Sequence, residues 1–313
     1  MRFRRLGRTD LEVSVVGLGT FQFGGSWGKQ FTRNEVADIV SAARDSGVNL
    51  IDTAECYGAD HLAESLVGSA IASSRNHWIL ATKFGHFRQD STHRVSAWDA
   101  SSVSKQLDDS LRALGTDYVD IYQFHSGSND DFENDELWMT LRRLKQSGKV
   151  RFLGISLSKK KSEWRTHQTK RAVDVGADII QVKLNRLARV AETEVLPECL
   201  DRELGVMARV PLASGLLSGK YQDLSAFPDA DIRSEKYQPQ QIRHMQEEIE
   251  RIVQTELPDG ASLPEYALTW CLSHDAVSCV VAGCKTVKHI RANAAVAASP
   301  LMPACHPLDL PQQ

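Results

Sequence analysis

The sequence predicts an α/β fold, a (β/α)8 (TIM) barrel, on three observations. Eight short apolar runs rich in Val and Ile recur along the 313 residues, and eight segments of helical periodicity alternate with them. The runs are apolar nearly throughout, without strict polar alternation, as strands covered on both faces of a parallel sheet require. The first run leads into Gly17-Leu18-Gly19-Thr20-Phe21-Gln22-Phe23-Gly24-Gly25, which lacks the third glycine of a dinucleotide fingerprint at its spacing. That disfavours an open doubly wound sheet, the other fold that such alternation allows.

Taken in order, residues 2–6 and 11–13 read as a short hairpin capping the barrel bottom. The eight strands are 13–19, 48–53, 78–83, 118–125, 150–156, 178–182, 205–211 and 278–283. Helix 34–46 is apolar at Val36, Ile39, Val40 and Ala43, three and four residues apart, and meets Gly47 as a stop. Segments 62–72, 103–114 and 137–146 behave likewise, the last two closed by Gly115 and Gly148. Later helices are 171–175 with residues before it, 195–204, 264–273 and 287–298. An insertion between strands seven and eight, 216–263, carries a charged helix at 240–254. One domain is expected over 1–313, with 299–313, which holds Pro300, Pro303, Pro307 and Pro311, as an extended tail.

Composition narrows the function. Hydrophobic residues make up 42% and charged residues 25%, which rules out intrinsic disorder. With 37 Lys plus Arg against 40 Asp plus Glu the net charge is −3, and no basic stripe exists beyond Lys159-Lys160-Lys161, read as a solvated loop. Nucleic acid and anionic membrane are therefore excluded as main partners. Met1-Arg2-Phe3-Arg4-Arg5 is basic, but no apolar stretch follows it, so no secretory signal is expected. No run approaches the ~18 apolar residues of a membrane helix. Cys56, Cys199, Cys271, Cys279, Cys284 and Cys305 form no C-x-x-C and no zinc-ligand spacing. They read as reduced thiols of a cytoplasmic protein. Cys56 beside Tyr57 and Cys284 beside Lys285 are read as small buried residues rather than redox sensors.

In barrels, functional side chains sit at the C-terminal ends of strands. Those ends carry Asp52, Lys83, His125, Ser156 and Gln181, with Tyr57 in the loop after strand two and Lys285-Thr286 after strand eight. A carboxylate beside a lysine forms a partly buried ion pair, and a lysine beside a phenol lowers the Tyr pKa from about 10. Such a Tyr exchanges a proton with a carbonyl oxygen, and His125 orients that oxygen. Each residue also has a structural reading: Asp52 as a helix cap, Tyr57 before Gly58 as a turn, Lys83 or His125 as a solvated side chain. Their joint placement on three consecutive strand ends argues for chemistry.

Asp52-Thr53-Ala54-Glu55-Cys56-Tyr57-Gly58, Ala81-Thr82-Lys83 and Gln123-Phe124-His125 resemble the three tetrad motifs of the aldo-keto reductases. The resemblance runs through Leu6-Gly7-Arg8-Thr9, Gly17-Leu18-Gly19-Thr20, Gln181-Val182-Lys183-Leu184-Asn185, the stretch 211–221, and Gly283-Cys284-Lys285-Thr286 to Asn293. It implies an NAD(P)H-dependent oxidoreductase that reduces aldehydes or ketones to alcohols, reversible on sugars or secondary alcohols. Tyr57 is then the general acid, Lys83 and Asp52 tune it, and His125 orients the carbonyl of a small-molecule substrate. Gly19, Thr20, Phe21 and Asp52 join the cofactor contacts, while Ser156 and Gln181 hold the nicotinamide carboxamide. Pro211, Leu212, Ser214 and Gly215 wrap the pyrophosphate. Lys285 and Thr286 sit near the adenosine ribose, where a cation and a hydroxyl suit a 2′-phosphate, favouring NADP over NAD.

The sequence departs from that pattern in four places. Leu157 follows Ser156 where Asn is usual, and Arg209 stands where an aromatic residue stacks on the nicotinamide. A guanidinium also stacks, with a charge that bears on hydride affinity or on a substrate anion. His289 replaces a frequent Arg, and Ala292 replaces a frequent acid. Phe21, Trp27, Phe84, His86 and Phe87 are expected around the substrate mouth, with rim packing as their alternative. Two competing functions are a cofactor-sensing regulatory subunit with little turnover and a Schiff-base aldolase using Lys83. Oligomeric state is left open.

Overall fold

A closed barrel of parallel strands in sequence order forms the centre of the molecule: Val16–Gly19, Leu50–Asp52, Ile79–Phe84, Val119–His125, Val150–Ser156, Ala177–Lys183, Gly205–Arg209 and Val277–Gly283. The eighth pairs with the first, Gly283 opposite Gly19, which closes the ring. The structure, a computed structural model, describes residues 1–88, 94–220, 231, 233 and 239–300. The tail expected over 299–313 lies outside the described residues from 301 on, as do Cys305 and part of the insertion.

The expected first strand divides in two. Glu12–Ser14 pairs antiparallel with Phe3–Arg5, and only Val16–Gly19 enters the barrel. The chain turns between them because the Ser14 hydroxyl donates to the Val16 carbonyl and the Ser14 amide to the Asn49 side chain. The hairpin plugs the barrel bottom, as expected. Leu6, Leu11 and Val13 pack there with Leu50, Ala81, Ile121, Ile179, Met207 and Cys279.

A period of two carries five of the strands from this apolar floor to a polar mouth. Two residues beyond Leu50, Ala81, Ile121, Ile179 and Met207 stand Asp52, Lys83, Gln123, Gln181 and Arg209. The opposite faces of the strands pack against the surrounding helices in a larger core.

The helices begin where capping side chains stop the preceding loop. Thr32 and Glu35 form a capping box at Arg33–Asp45, and Asp99, Asn134, Ser262 and Thr286 accept from the first turns of Ala100–Leu114, Asp135–Gln146, Leu263–Leu272 and Val287–Ala295. The helix Ser162–Val175 is longer than its apolar signal because Arg165, Gln168 and Thr169 occupy buried positions. The helix expected at 195–204 is two short pieces, Ala191–Glu194 and Leu196–Asp201. The insertion helix spans Pro239–Thr255. Unanticipated elements near the mouth include a hairpin, His86–Arg88 with Arg94–Ser96, and a helical turn, Asn129–Phe132, capped by Ser128 in what reads as an open polar loop. Both are too short for a periodicity signal. Among the described residues, no helix is long and apolar enough to cross a membrane.

Candidate active site

Lys83 is fully buried at the end of the third barrel strand. Its ammonium donates to Asp52 Oδ1 at 2.8 Å and Oδ2 at 2.7 Å, to the Thr53 carbonyl at 2.7 Å, and to the Tyr57 hydroxyl oxygen at 3.1 Å. Asp52 Oδ1 also accepts from the amides of Gln181 at 2.8 Å and Gln123 at 3.1 Å, and Ser156 Oγ donates to Gln181 Oε1 at 3.1 Å. One polar chain therefore runs Ser156, Gln181, Asp52, Lys83, Tyr57 across four strand ends and a loop. Because Lys83 donates to the Tyr57 oxygen, the phenolic proton is free to point elsewhere.

Electrostatics here differ from the sequence expectation in one respect. Burial raises the Tyr57 pKa above its ordinary value, and this outweighs the lowering by Lys83, whose charge Asp52 largely cancels. The expected depression of Tyr57 is thereby corrected. Burial pushes Lys83 down, but Asp52 and Tyr57 more than offset it, and Lys83 stays charged with its pKa raised.

Aromatic rings surround Tyr57. Phe21 lies edge-on at 5.0 Å between centroids, the His125 ring at 6.4 Å, and Phe21 meets Trp27 at 6.1 Å. His86 packs on His125 at 5.3 Å and on Trp98 at 4.8 Å. Cys56 Sγ is 3.9 Å from His125 Nδ1. Phe84 does not join them. It is fully buried against Tyr122 at 4.8 Å, so its expected place at the substrate mouth is corrected. Strand alternation sends Phe84 into the outer core, opposite Lys83. Phe87 is half-buried on the new hairpin, opposite Val95.

A second cluster surrounds the loop after strand seven. Val210, Ala213, Ser214 and Gly215 all have positive φ, a strained conformation for the three that are not glycine. Pro211 is buried and Leu212 half-buried beside them. From the insertion, Arg233 donates to the Ser214 carbonyl at 3.0 Å, pairs with Asp231, and lies over the Trp27 ring at 4.6 Å. Lys285 donates to the Trp27 carbonyl at 2.8 Å. Trp27 is thus held between two cations. His289 Nε2 meets Lys220 Nζ at 2.8 Å, and burial, with Lys220, Lys285 and Lys288, lowers its pKa. The Thr286 hydroxyl accepts from the His289 amide as a helix cap, and the Thr20 amide and hydroxyl both donate to the Asp52 carbonyl.

These residues fit a nicotinamide dinucleotide. Arg209 Nε, Gln123 Oε1, Asn293 Nδ2 and Ser218 Oγ are shut from solvent without hydrogen-bond partners among the described residues, an arrangement that asks for a polar ligand. The cations at 220, 285 and 288 gather around His289.

A model of the Aldo/keto reductase family matches residues 15–305. The chain belongs to the aldo/keto reductase family. It is 32% identical to the uncharacterized oxidoreductase YqkF of Bacillus subtilis over 296 residues, spanning 94% of this chain and 90% of that one. It is 28% identical to the NADH-specific methylglyoxal reductase of Escherichia coli, spanning 93% and 91%. The holo form of aldo-keto reductase AKR11C1 from Bacillus halodurans superposes with a TM-score of 0.79 at 30% identity, covering 97% of this chain and 93% of that one. Aldo-keto reductases are oxidoreductases that act on carbonyls with nicotinamide cofactors.

Sequence reasoning placed Asp52, Tyr57, Lys83, His125, Ser156 and Gln181 in one mouth, and the structure brings them together. It assigned no role to Gln123, Trp98, Lys220 or Arg233. Gln123 carried a signal, since it stands two residues beyond an inward-facing isoleucine. Arg233 carried none, because only the return of the insertion brings it to Trp27.

Proposed function

We propose that this aldo-keto reductase reduces aldehydes or ketones with NADPH, using Tyr57 as the general acid. The observation that carries the reading is the buried Lys83 ammonium shared between Asp52 and the Tyr57 hydroxyl. A bound reduced nicotinamide supplies the hydride. Tyr57 gives its proton to the carbonyl oxygen, and Lys83 stabilises the phenolate left behind. Asp52 keeps Lys83 charged, and Gln123 and Gln181 hold Asp52 in place. His125 directs the substrate oxygen towards Tyr57. A raised Tyr57 pKa keeps the phenol protonated at neutral pH, as an acid for reduction must be.

Ser156, Gln181 and Arg209 would hold the nicotinamide end, with Gly19, Thr20 and Phe21 beside it. The strained turn with Pro211, Leu212, Ser214 and Gly215 would take the pyrophosphate. Lys285, His289 and Asn293, with Lys220, would take the adenosine end; their excess positive charge supports a 2′-phosphate, hence NADPH over NADH. The Escherichia coli relative is described as NADH-specific, so the preference is to be measured directly. The Schiff-base alternative needs an uncharged lysine, whereas Lys83 is held charged and its protons are committed to Asp52, Thr53 and Tyr57. Buried thiols at the five described cysteines fit a cytoplasmic setting.

The test is NADPH and NADH oxidation with a panel of aldehydes and ketones. Turnover that prefers NADPH supports the reading. Tight cofactor binding with no turnover across the panel favours the sensor, and absence of binding by either cofactor overturns it.

A further inference from the structure

Arg209 ends the seventh strand and reaches across the mouth to donate through Nη2 to the Leu157 carbonyl at 2.9 Å. It thereby spans the ends of strands five to seven, alongside Ser156 and Gln181. Its Nε is shut from solvent without a partner among the described residues. Arg209 itself is half-buried, whereas the buried arginines answer their charge: Arg165 pairs with Glu194, Arg186 with Glu256, and Arg233 with Asp231. Among the described residues no carboxylate pairs with Arg209. The charges that act on it are Tyr57, neutral at pH 7, and Asp52, which is already committed to Lys83. Burial accordingly lowers the guanidinium pKa.

An unanswered cation in such a place has a direct electrostatic consequence. An oxidised nicotinamide ring carries a positive charge and a reduced ring carries none, while the rest of the dinucleotide is unchanged. We infer that Arg209 makes this site discriminate between redox forms, holding the reduced dinucleotide more tightly than the oxidised one. The inference rests on the proposed placement of the nicotinamide beside Ser156, Gln181 and Arg209. Its effect is to speed release of the oxidised product after carbonyl reduction. At the distances within one binding site, a unit charge in a partly buried setting changes the affinity ratio by about tenfold or more.

The experiment measures Kd for NADPH and NADP+ by fluorescence titration of wild type, Arg209→Gln and Arg209→Lys. Wild type is expected to bind NADPH at least about tenfold more tightly. Arg209→Gln is expected to remove most of that preference, and Arg209→Lys to keep it. Equal affinities in wild type overturn the inference without recourse to any variant. An unchanged ratio in a folded Arg209→Gln protein also overturns it, including when the variant instead raises KM for a carboxylate-bearing substrate. If wild type binds neither form, the proposed cofactor site itself falls; if it binds both and the ratio ignores residue 209, only this inference falls.

Discussion

At the residue scale the site depends on three groups that hold one another. Removing the Tyr57 hydroxyl while leaving its ring in place, as Tyr57→Phe does, should lower kcat by about 10²–10⁴-fold. NADPH affinity should stay within a few-fold, as read by fluorescence titration. Retained kcat would remove Tyr57 from the proton transfer. Lys83→Met leaves the Asp52 carboxylate buried with only two amides to answer it, and a broken buried pair costs about 3–5 kcal/mol. A urea denaturation midpoint unchanged from wild type would mean that Asp52 is solvated or protonated instead. The pairing was legible, since Asp52 and Lys83 end adjacent strands. The direction of the Tyr57 shift was not. It depends on how far burial outweighs a lysine whose charge Asp52 largely cancels, and sequence spacing carries no information on burial depth.

At the element scale, the insertion is tied down by charge. Arg186, buried in the loop after strand six, donates to Glu256 at 2.5 Å and 2.9 Å and to Glu248 at 3.3 Å, and Tyr266 also donates to Glu256. Arg186→Met should destabilise by about 1–3 kcal/mol, discounted for the partly exposed glutamates, and should open the helix Pro239–Thr255 to limited proteolysis. Unaltered proteolysis kinetics would show that apolar contacts hold this helix without Arg186. The hairpin at His86–Arg88 and Arg94–Ser96 belongs to this scale too. It brings His86 onto His125 and Trp98 behind it, from a segment whose sequence shows neither period clearly.

At the scale of the whole molecule, stability should depend on pH through a buried cluster next to the site. Glu64 Oε2 lies 2.5 Å from His61 Nδ1, Glu64 Oε1 accepts from Thr82 at 2.5 Å, and Glu55 Oε2 is buried without a hydrogen-bond partner among the described residues. Burial pushes the Glu55 carboxyl up to about 8, against the pull of His61. Burial lowers His61, but Glu64 and Glu55 raise it further, so its net direction is up. The folded protein thus binds more protons than the unfolded chain from about pH 4.5, the ordinary Glu55 value, to about 8. Stability contributed by this cluster falls as pH rises through that window, His61 adding to the loss as it gives up its proton. Glu55→Gln should flatten the alkaline side of a plot of Tm against pH. A wild-type Tm that rises from pH 6 to 8, with Glu55→Gln parallel to it, would contradict the assignment.

Local patterning determined the barrel, its eight strands, most of its helices and the strand ends that carry Asp52, Lys83, His125, Ser156 and Gln181. Those features follow from apolar runs, helical periods and stop residues, which act over a few neighbouring positions. Tertiary structure alone decided that Phe84 faces the outer core and that the first apolar run is two strands. It also decided that Arg233 and Lys285 clasp Trp27, that no carboxylate among the described residues pairs with Arg209, and that burial outweighs Lys83 at Tyr57. Each of these turns on the distance, burial or charge balance between groups far apart in sequence, and barrel closure sets those quantities all at once.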